Sequence, residues 1–239
     1  WENLDKYIFL NGGSLPFLGA RGCVYNCSYC CTRAYRETLP GKYFRQADPG
    51  RLIDEIEHNL AEHGARGFRV ARIQDSCFTI DRKWTRRFCD EYTARGLHEK
   101  VGYYVLSRAD HLDDATAEML AGAGCRTVHI GVESGDAAVR KETWNKKINN
   151  EVFVEAVETC RKHGIRVSLS FIMGGPGEDV ETVGRTVSFA KQLQAEKNHF
   201  HIFSPFPGIE ATRLFIERNG KIHTESEATG GNVFLDSVK

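Results

Sequence analysis

Two hydrophobic periods alternate along this chain, and that alternation limits its fold more than any other feature. Apolar residues at every second position predict strands, and apolar residues three and four apart predict helices. Predicted strands cover 17–21, 68–75, 101–107, 127–132, 165–173 and 199–203. Helical segments lie between them. Asp48-Pro49 reads as an N-cap followed by proline in the first turn, with Leu52, Ile53, Ile56 and Leu60 on one face and Gly64 as the stop. Asp81 opens a helix that carries Trp84, Phe88 and Tyr92 on one stripe and ends at Gly96. Further helices are predicted over 113–123, 150–163 and 178–194. Six strand–helix units require an α/β fold whose parallel strands are joined by right-handed crossovers. Two architectures satisfy that rule, an open doubly wound sheet and a partial barrel. In both, chemistry collects at the carboxyl ends of the strands.

Polar and glycine-rich residues gather at those ends. Gln74-Asp75-Ser76-Cys77 follows the second strand, Ser107-Arg108 the third, and Gly131-Val132-Glu133-Ser134-Gly135 the fourth. Gly174-Gly175-Pro176-Gly177 follows the fifth, and Ser204-Pro205-Phe206-Pro207-Gly208 the sixth. After the first comes Cys23-Val-Tyr-Asn-Cys27-Ser-Tyr-Cys30, a C-x3-C-x2-C loop. Three thiolates on one loop can hold three irons of a [4Fe–4S] cluster. No fourth cysteine stands at a ferredoxin spacing, so one iron is left for a substrate or cofactor. A zinc site is the competing reading, but zinc prefers paired short spacings and four protein ligands, and no second pair is evident. The glycine turn at 174–177 lacks the Lys-Ser/Thr of a phosphate-binding P-loop.

Composition narrows the function classes. The 239 residues carry 32 basic and 32 acidic side chains, a balance with no nucleic-acid or membrane-surface signature. No apolar run approaches the roughly 18 residues of a spanning helix, and no signal peptide is visible. Of eight cysteines, four cluster and four (77, 89, 125 and 160) fall in apolar segments. That usage fits a reducing cytoplasm better than a disulfide framework. A chain that starts at Trp1 is expected to be a segment of something longer.

These residues resemble the radical S-adenosylmethionine (SAM) enzymes. Beyond the cysteine loop, the Gly-Val-Glu-Ser-Gly, Gly-Gly-Pro-Gly-Glu-Asp and Pro-Phe-Pro-Gly pieces are similar to the branch that includes cobalamin-binding members. Ser107-Arg108-Ala109-Asp110 and Ala123-Gly124-Cys125 fit that branch too. The resemblance spans about residues 15–215. It implies a partial (β/α)6 TIM-like barrel over 15–210, with a lead-in over 1–14 and an extension over 211–239. The chain has no room for the separate cobalamin domain that such relatives carry ahead of the core. Cys31, directly after Cys30, is not required by the family motif and has no evident role.

The resemblance also implies a chemistry and a set of roles. SAM would chelate the open iron and be cleaved reductively, and the 5′-deoxyadenosyl radical would remove a hydrogen atom from a substrate carbon. A barrel lined by small and apolar groups would protect that radical. Cys23, Cys27 and Cys30 become the cluster ligands. Tyr29 would sit beside the adenine or pack on the cluster. Asp75 would accept from the SAM amino group, or else cap the next helix. Ser107 and Arg108 would hold the SAM carboxylate, and Glu133 the ribose hydroxyls. Ser168 and Ser170 would touch SAM or face a helix. Gly174, Gly175 and Gly177 would let the backbone approach adenine, with Pro207 and Gly208 serving similarly. Cys77 is a candidate hydrogen donor or substrate contact, against ordinary packing. Cobalamin-dependent methylation, a methylthiotransferase-like or oxidative reaction without cobalamin, and a non-catalytic iron–sulfur or zinc module all remain open. A flavodoxin or ferredoxin would deliver the electron, and the substrate, a small molecule or otherwise, is unassigned.

Overall fold

A computed structural model describes residues 6–8 and 11–219. Its sheet has six strands: β1 (Ser14–Phe17), β4 (Val70–Ile73), β5 (Gly102–Ser107), β6 (Cys125–Glu133), β7 (Arg166–Met173) and β8 (Lys197–Ile202). They lie side by side in that order, every neighbouring pair parallel. A doubly wound sheet reverses its strand order at a switch point. Here no reversal occurs, so the right-handed crossovers run one way and curl the sheet into a half-barrel, a partial TIM barrel. The short strands β2 (Ala20–Arg21) and β3 (Arg45–Gln46) pair antiparallel beside it.

The helices start where the sequence places them. Asp48 accepts from the Gly50 amide (2.9 Å) ahead of α2 (Pro49–His63), and Asp81 from the Lys83 and Trp84 amides (2.9 and 3.1 Å) ahead of α3 (Arg82–Ala94). Asp113 accepts from Thr116 (2.8 Å) before α4 (Asp114–Gly122). Helix α5 spans Asn150–Lys162. Asp179 and Thr182 form a reciprocal capping box before α6 (Val180–Leu193). Each such cap satisfies amides a helix end leaves open and contributes about 1 kcal/mol.

The convex face of the sheet is the core. Ala71, Ile73, Tyr103, Val105, Val128, Ile130, Leu169 and Phe171 lie under the helices with almost no exposure. Phe88 meets Phe78 and Tyr103 edge to face at 5.2 and 5.5 Å, and Phe78 lies tilted against Tyr103 at 6.2 Å, between the sheet and α3.

Two expectations need correction, on the first strand and on the barrel lining, and two helices carry no signal in the sequence. The first parallel strand is Ser14–Phe17, earlier than 17–21, because residues 20–21 leave the sheet to pair with β3. A polar helix α1 (Cys31–Thr38) follows the cysteine loop; it buries no residue, so no apolar stripe announces it. The segment past 210 begins with α7 (Glu210–Asn219), whose Ala211 and Phe215 join Trp144 and Phe203 in a second small core. The concave face is not small and apolar. Arg72, Tyr104, His129, Ser168 and His199 line it, because a half-barrel leaves its inner side chains facing open space instead of each other. The predicted loop over 224–231 lies outside the described residues.

Candidate active site

Cys23, Cys27 and Cys30 line one cavity of about 320 Å³ at the carboxyl end of the sheet. The loop that carries them is fixed from both sides. Helix α1 holds it through Arg36, which donates to the Val24 carbonyl (3.1 Å) and to the Asn26 side chain. The strap over 134–149 holds it through Ser28, whose amide donates to the Trp144 carbonyl (3.2 Å) and whose hydroxyl donates to the Thr143 carbonyl. Asn145 adds a bond to the Asn26 carbonyl (2.9 Å). Burial raises the Cys23 and Cys27 thiols above their usual range, and the Lys146 charge opposes that at Cys27. All eight cysteines are unpaired. Among the described residues no three His, Cys, Asp or Glu side chains converge as the ligands of a single ion would. A cubane asks something different, because each thiolate takes its own iron at a separate corner. Three reduced thiols on one fixed loop, opening into one cavity, fit that donor set.

Opposite the loop stands a buried charge pair. Glu133 ends β6 in the left-handed region (φ 70), at a bulge where the register with β7 slips between Gly131 and Glu133. A non-glycine residue held there stores strain, which structures tolerate mainly at functional sites. Its Oε1 accepts from Tyr29 (2.7 Å) and from the Lys146 ammonium (3.0 Å), which also donates to the Gly131 carbonyl (2.5 Å). Both charged side chains are at most 7% exposed, and each is the other's counter-charge. Oε2 has no hydrogen bond among the described residues. Gly131 makes the arrangement possible, since a Cβ there would come within 2.1 Å of Oε1.

Lys146 was not among the residues singled out by sequence. It is delivered by the strap, which contains a π-turn over Val139–Thr143. Arg140, fully buried, organises that strap by donating to the carbonyls of Ile148 (2.8 Å) and Ser134 (2.5 Å) and to the Asn150 side chain (2.5 Å). Trp144 packs edge-on against Tyr29 at 5.8 Å. Read as sequence, 139–147 is a run of charges with no helical period.

Other expected residues divide. Ser107 and Arg108 line the cavity. Ser107 meets the Thr79 hydroxyl (2.6 Å), and Arg108 lies 3.7 Å over the Tyr25 ring while its Nε and Nη2 pair with Asp110 (3.0 and 2.8 Å). Cys77 and Ser170 line it too; burial pushes the Cys77 thiol up to about 11. Asp75 does not face it. This carboxylate is fully buried, and its Oδ1 accepts from the Gly19 and Ala20 amides (2.7 and 2.8 Å). It clamps the turn that leads into the cysteine loop, and burial raises it to about 6. Ser168 sits lower in the barrel, bonded to His129 and His199 (3.1 Å each). Neither Gly174 nor Gly175 borders the cavity. Gly175 makes room for Trp144 instead, since a Cβ would come within 2.2 Å of the indole.

Comparison with known proteins agrees with this geometry. Residues 18–190 match the family model of the radical SAM superfamily. The anaerobic magnesium-protoporphyrin IX monomethyl ester cyclase of Cereibacter sphaeroides is 30% identical over 93% of this chain and 34% of its own length. The tryptophan 2-C-methyltransferase of Streptomyces laurentii is 24% identical over 84% and 34%. In fold, the chain is similar to the radical SAM methyltransferase TsrM of Kitasatospora setae, solved with cobalamin and a [4Fe–4S] cluster bound. The TM-score is 0.77 at 24% identity, covering 96% of this chain and 41% of that one. The chain thus spans about a third of the length of these curated relatives.

Proposed function

Because the chain belongs to the radical SAM superfamily, we propose that it uses a cluster on Cys23, Cys27 and Cys30 to cleave SAM and take a hydrogen atom from a substrate carbon, in the course of a methyl transfer. The observation that carries this reading is the meeting of all three cysteines with Ser107, Arg108, Glu133 and Lys146 around one cavity. When bound, the cluster and SAM supply reductive cleavage of the sulfonium C–S bond and with it a 5′-deoxyadenosyl radical.

The chain's own residues bind and orient. The thiols surrender their protons as iron is loaded, a step that the Lys146 charge eases at Cys27. Glu133 keeps Oε2 for a sugar hydroxyl, while Tyr29 and Lys146 hold Oε1 and fix the carboxylate in place. Arg108, with Nε and Nη2 committed to Asp110, presents Nη1 as a donor for a carboxylate. The methyl-transfer half of the reading is supported by the names of relatives, and cobalamin as a cofactor by the cobalamin bound in the TsrM structure. A flavodoxin- or ferredoxin-type protein is the reductant this chemistry calls for.

Anaerobic loading with iron and sulfide, followed by turnover with SAM and a reductant, tests the reading. The expected products are 5′-deoxyadenosine and S-adenosylhomocysteine, both lost in Cys27→Ser. Deoxyadenosine alone would remove methyl transfer and leave hydrogen abstraction. Protein that carries the cluster yet forms no deoxyadenosine would sink the whole reading.

A further inference from the structure

Below the cysteine cavity, at the amino ends of the strands, lies a second cavity of about 530 Å³. Inner faces of barrels of this family of folds are normally filled by branched apolar side chains, and the amino-terminal face serves stability. This one is lined by Arg72, Arg126, Arg166 and Lys197, with Glu196 as its one carboxylate among the described lining residues. Glu196 is already engaged, accepting from the Val167 amide at 2.6 Å. None of the four cations has an ion pair among the described residues. Elsewhere Arg82, Arg87, Arg95 and Arg185 each meet a carboxylate. The four are also placed by the sheet. Arg72 lies over the Tyr104 ring at 5.5 Å, and Arg126 lies across Gly102, where a Cβ would come within 2.4 Å of it. Four cations beside one carboxylate leave the cavity net positive, which favours an anion there.

The two cavities share a wall. His129 borders both, and its ring bridges Ser168 (Nδ1, 3.1 Å) and Ser170 (Nε2, 3.2 Å). Ser168 also meets His199 (3.1 Å) in the lower cavity, and Ser170 borders the upper one. Burial, aided by His199, holds His129 down to about 4, so the ring adds hydrogen bonds here and not charge.

We propose that this lower cavity is the substrate's anion subsite: Arg72, Arg126, Arg166 and Lys197 hold a carboxylate or phosphate of the substrate while the carbon to be attacked reaches past His129 toward the cysteine cavity. The inference deepens the radical SAM reading and rests on it for the word substrate. The binding itself does not, so the two fail separately.

The test is a titration of the chain, without cluster, with inorganic phosphate and in parallel with succinate, read from the His199 and His201 ring protons and checked by calorimetry. Saturable binding of either anion is expected, and the preferred one identifies the group. The exposed pair Arg166→Gln/Lys197→Gln should weaken it at least tenfold, whereas Arg213→Gln, a paired arginine on α7, should leave it unchanged. No saturable binding of either anion, or equal loss in all variants, overturns the proposal. Binding in a protein that later forms no deoxyadenosine upholds the subsite and sinks the radical reading instead.

Discussion

At the scale of single residues, Glu133 and Asp75 show how one residue type answers to opposite surroundings. Glu133 is buried beside a cation, and Lys146 is buried only because of Glu133. Lys146→Met should therefore destabilise the fold by about 3–5 kcal/mol, since it strands a buried carboxylate. Adding Glu133→Gln should recover much of that loss, because an amide needs no counter-charge. Chemical denaturation of the two single variants and the double variant measures the coupling. Glu133→Gln alone should weaken SAM binding by roughly 10- to 100-fold, the usual cost of a hydrogen bond to a charged group, which calorimetry on loaded protein would detect. Asp75 has no cation. Burial raises it to about 6 and leaves Oδ2 without a partner, while two loop amides favour the charged form. A carboxyl raised in the folded state stabilises fully below its unfolded value near 4, and that contribution is lost as pH climbs through 6. His129, held down to about 4, acts oppositely over the same interval. The difference between wild type and Asp75→Asn isolates the carboxyl. Asn can still accept from both amides, so the variant should gain on wild type by on the order of 2 kcal/mol between pH 4 and 7. A flat difference curve would mean that Asp75 titrates as it does in the unfolded chain.

At the scale of elements, the strap over 134–149 joins the two halves of the site. Arg140 satisfies three acceptors from the strap and from the first residue of α5 with one guanidinium, all of it buried. Arg140→Leu removes the donors and leaves those acceptors dry, which should cost at least 3 kcal/mol and loosen the cysteine loop through Trp144 and Ser28. Gly175→Ala should act on the same joint mainly by pushing the Trp144 indole, with a lesser contact to the Glu178 carboxylate. Both are read by the unfolding midpoint and by the iron bound per chain after loading. This element was the part of the site least legible in the sequence. The cysteine triad, Glu133, Ser107 and Arg108 could be found because they sit at strand ends, and strands announce themselves through alternating burial. Lys146 and Arg140 could not, because a π-turn breaks the 3.6 period and both residues look like surface charges until the fold closes over them. Helix α1 hid for a related reason: it buries nothing, so it carries no stripe. Asp75 was visible as a strand-end carboxylate, but only the path of 19–20 past it decides that it clamps a turn instead of facing the cavity.

At the scale of the whole molecule, strand order settles what alternation left open. Alternation made six units readable, the family resemblance implied the half-barrel, and the unbroken neighbour sequence of the strands bears that out. The half-barrel has a consequence at its last strand. Crossover helices cover the convex face of the earlier strands, whereas every residue of β8 is exposed, with Phe200 at 44% and Ile202 at 70%. Among the described residues the outer edge of β8 also pairs with no further strand. An uncovered parallel edge with apolar side chains is a template for association. Ile202→Lys puts a charge on that face without disturbing the stacking of Phe200 on Phe171 at 5.1 Å. It should lower self-association at high protein concentration while moving the unfolding free energy by less than about 0.5 kcal/mol, as surface changes do. Light scattering across a concentration series, beside a denaturation curve, separates the two effects. Association that persists unchanged would show that another surface, and not the open end of the half-barrel, brings the chains together.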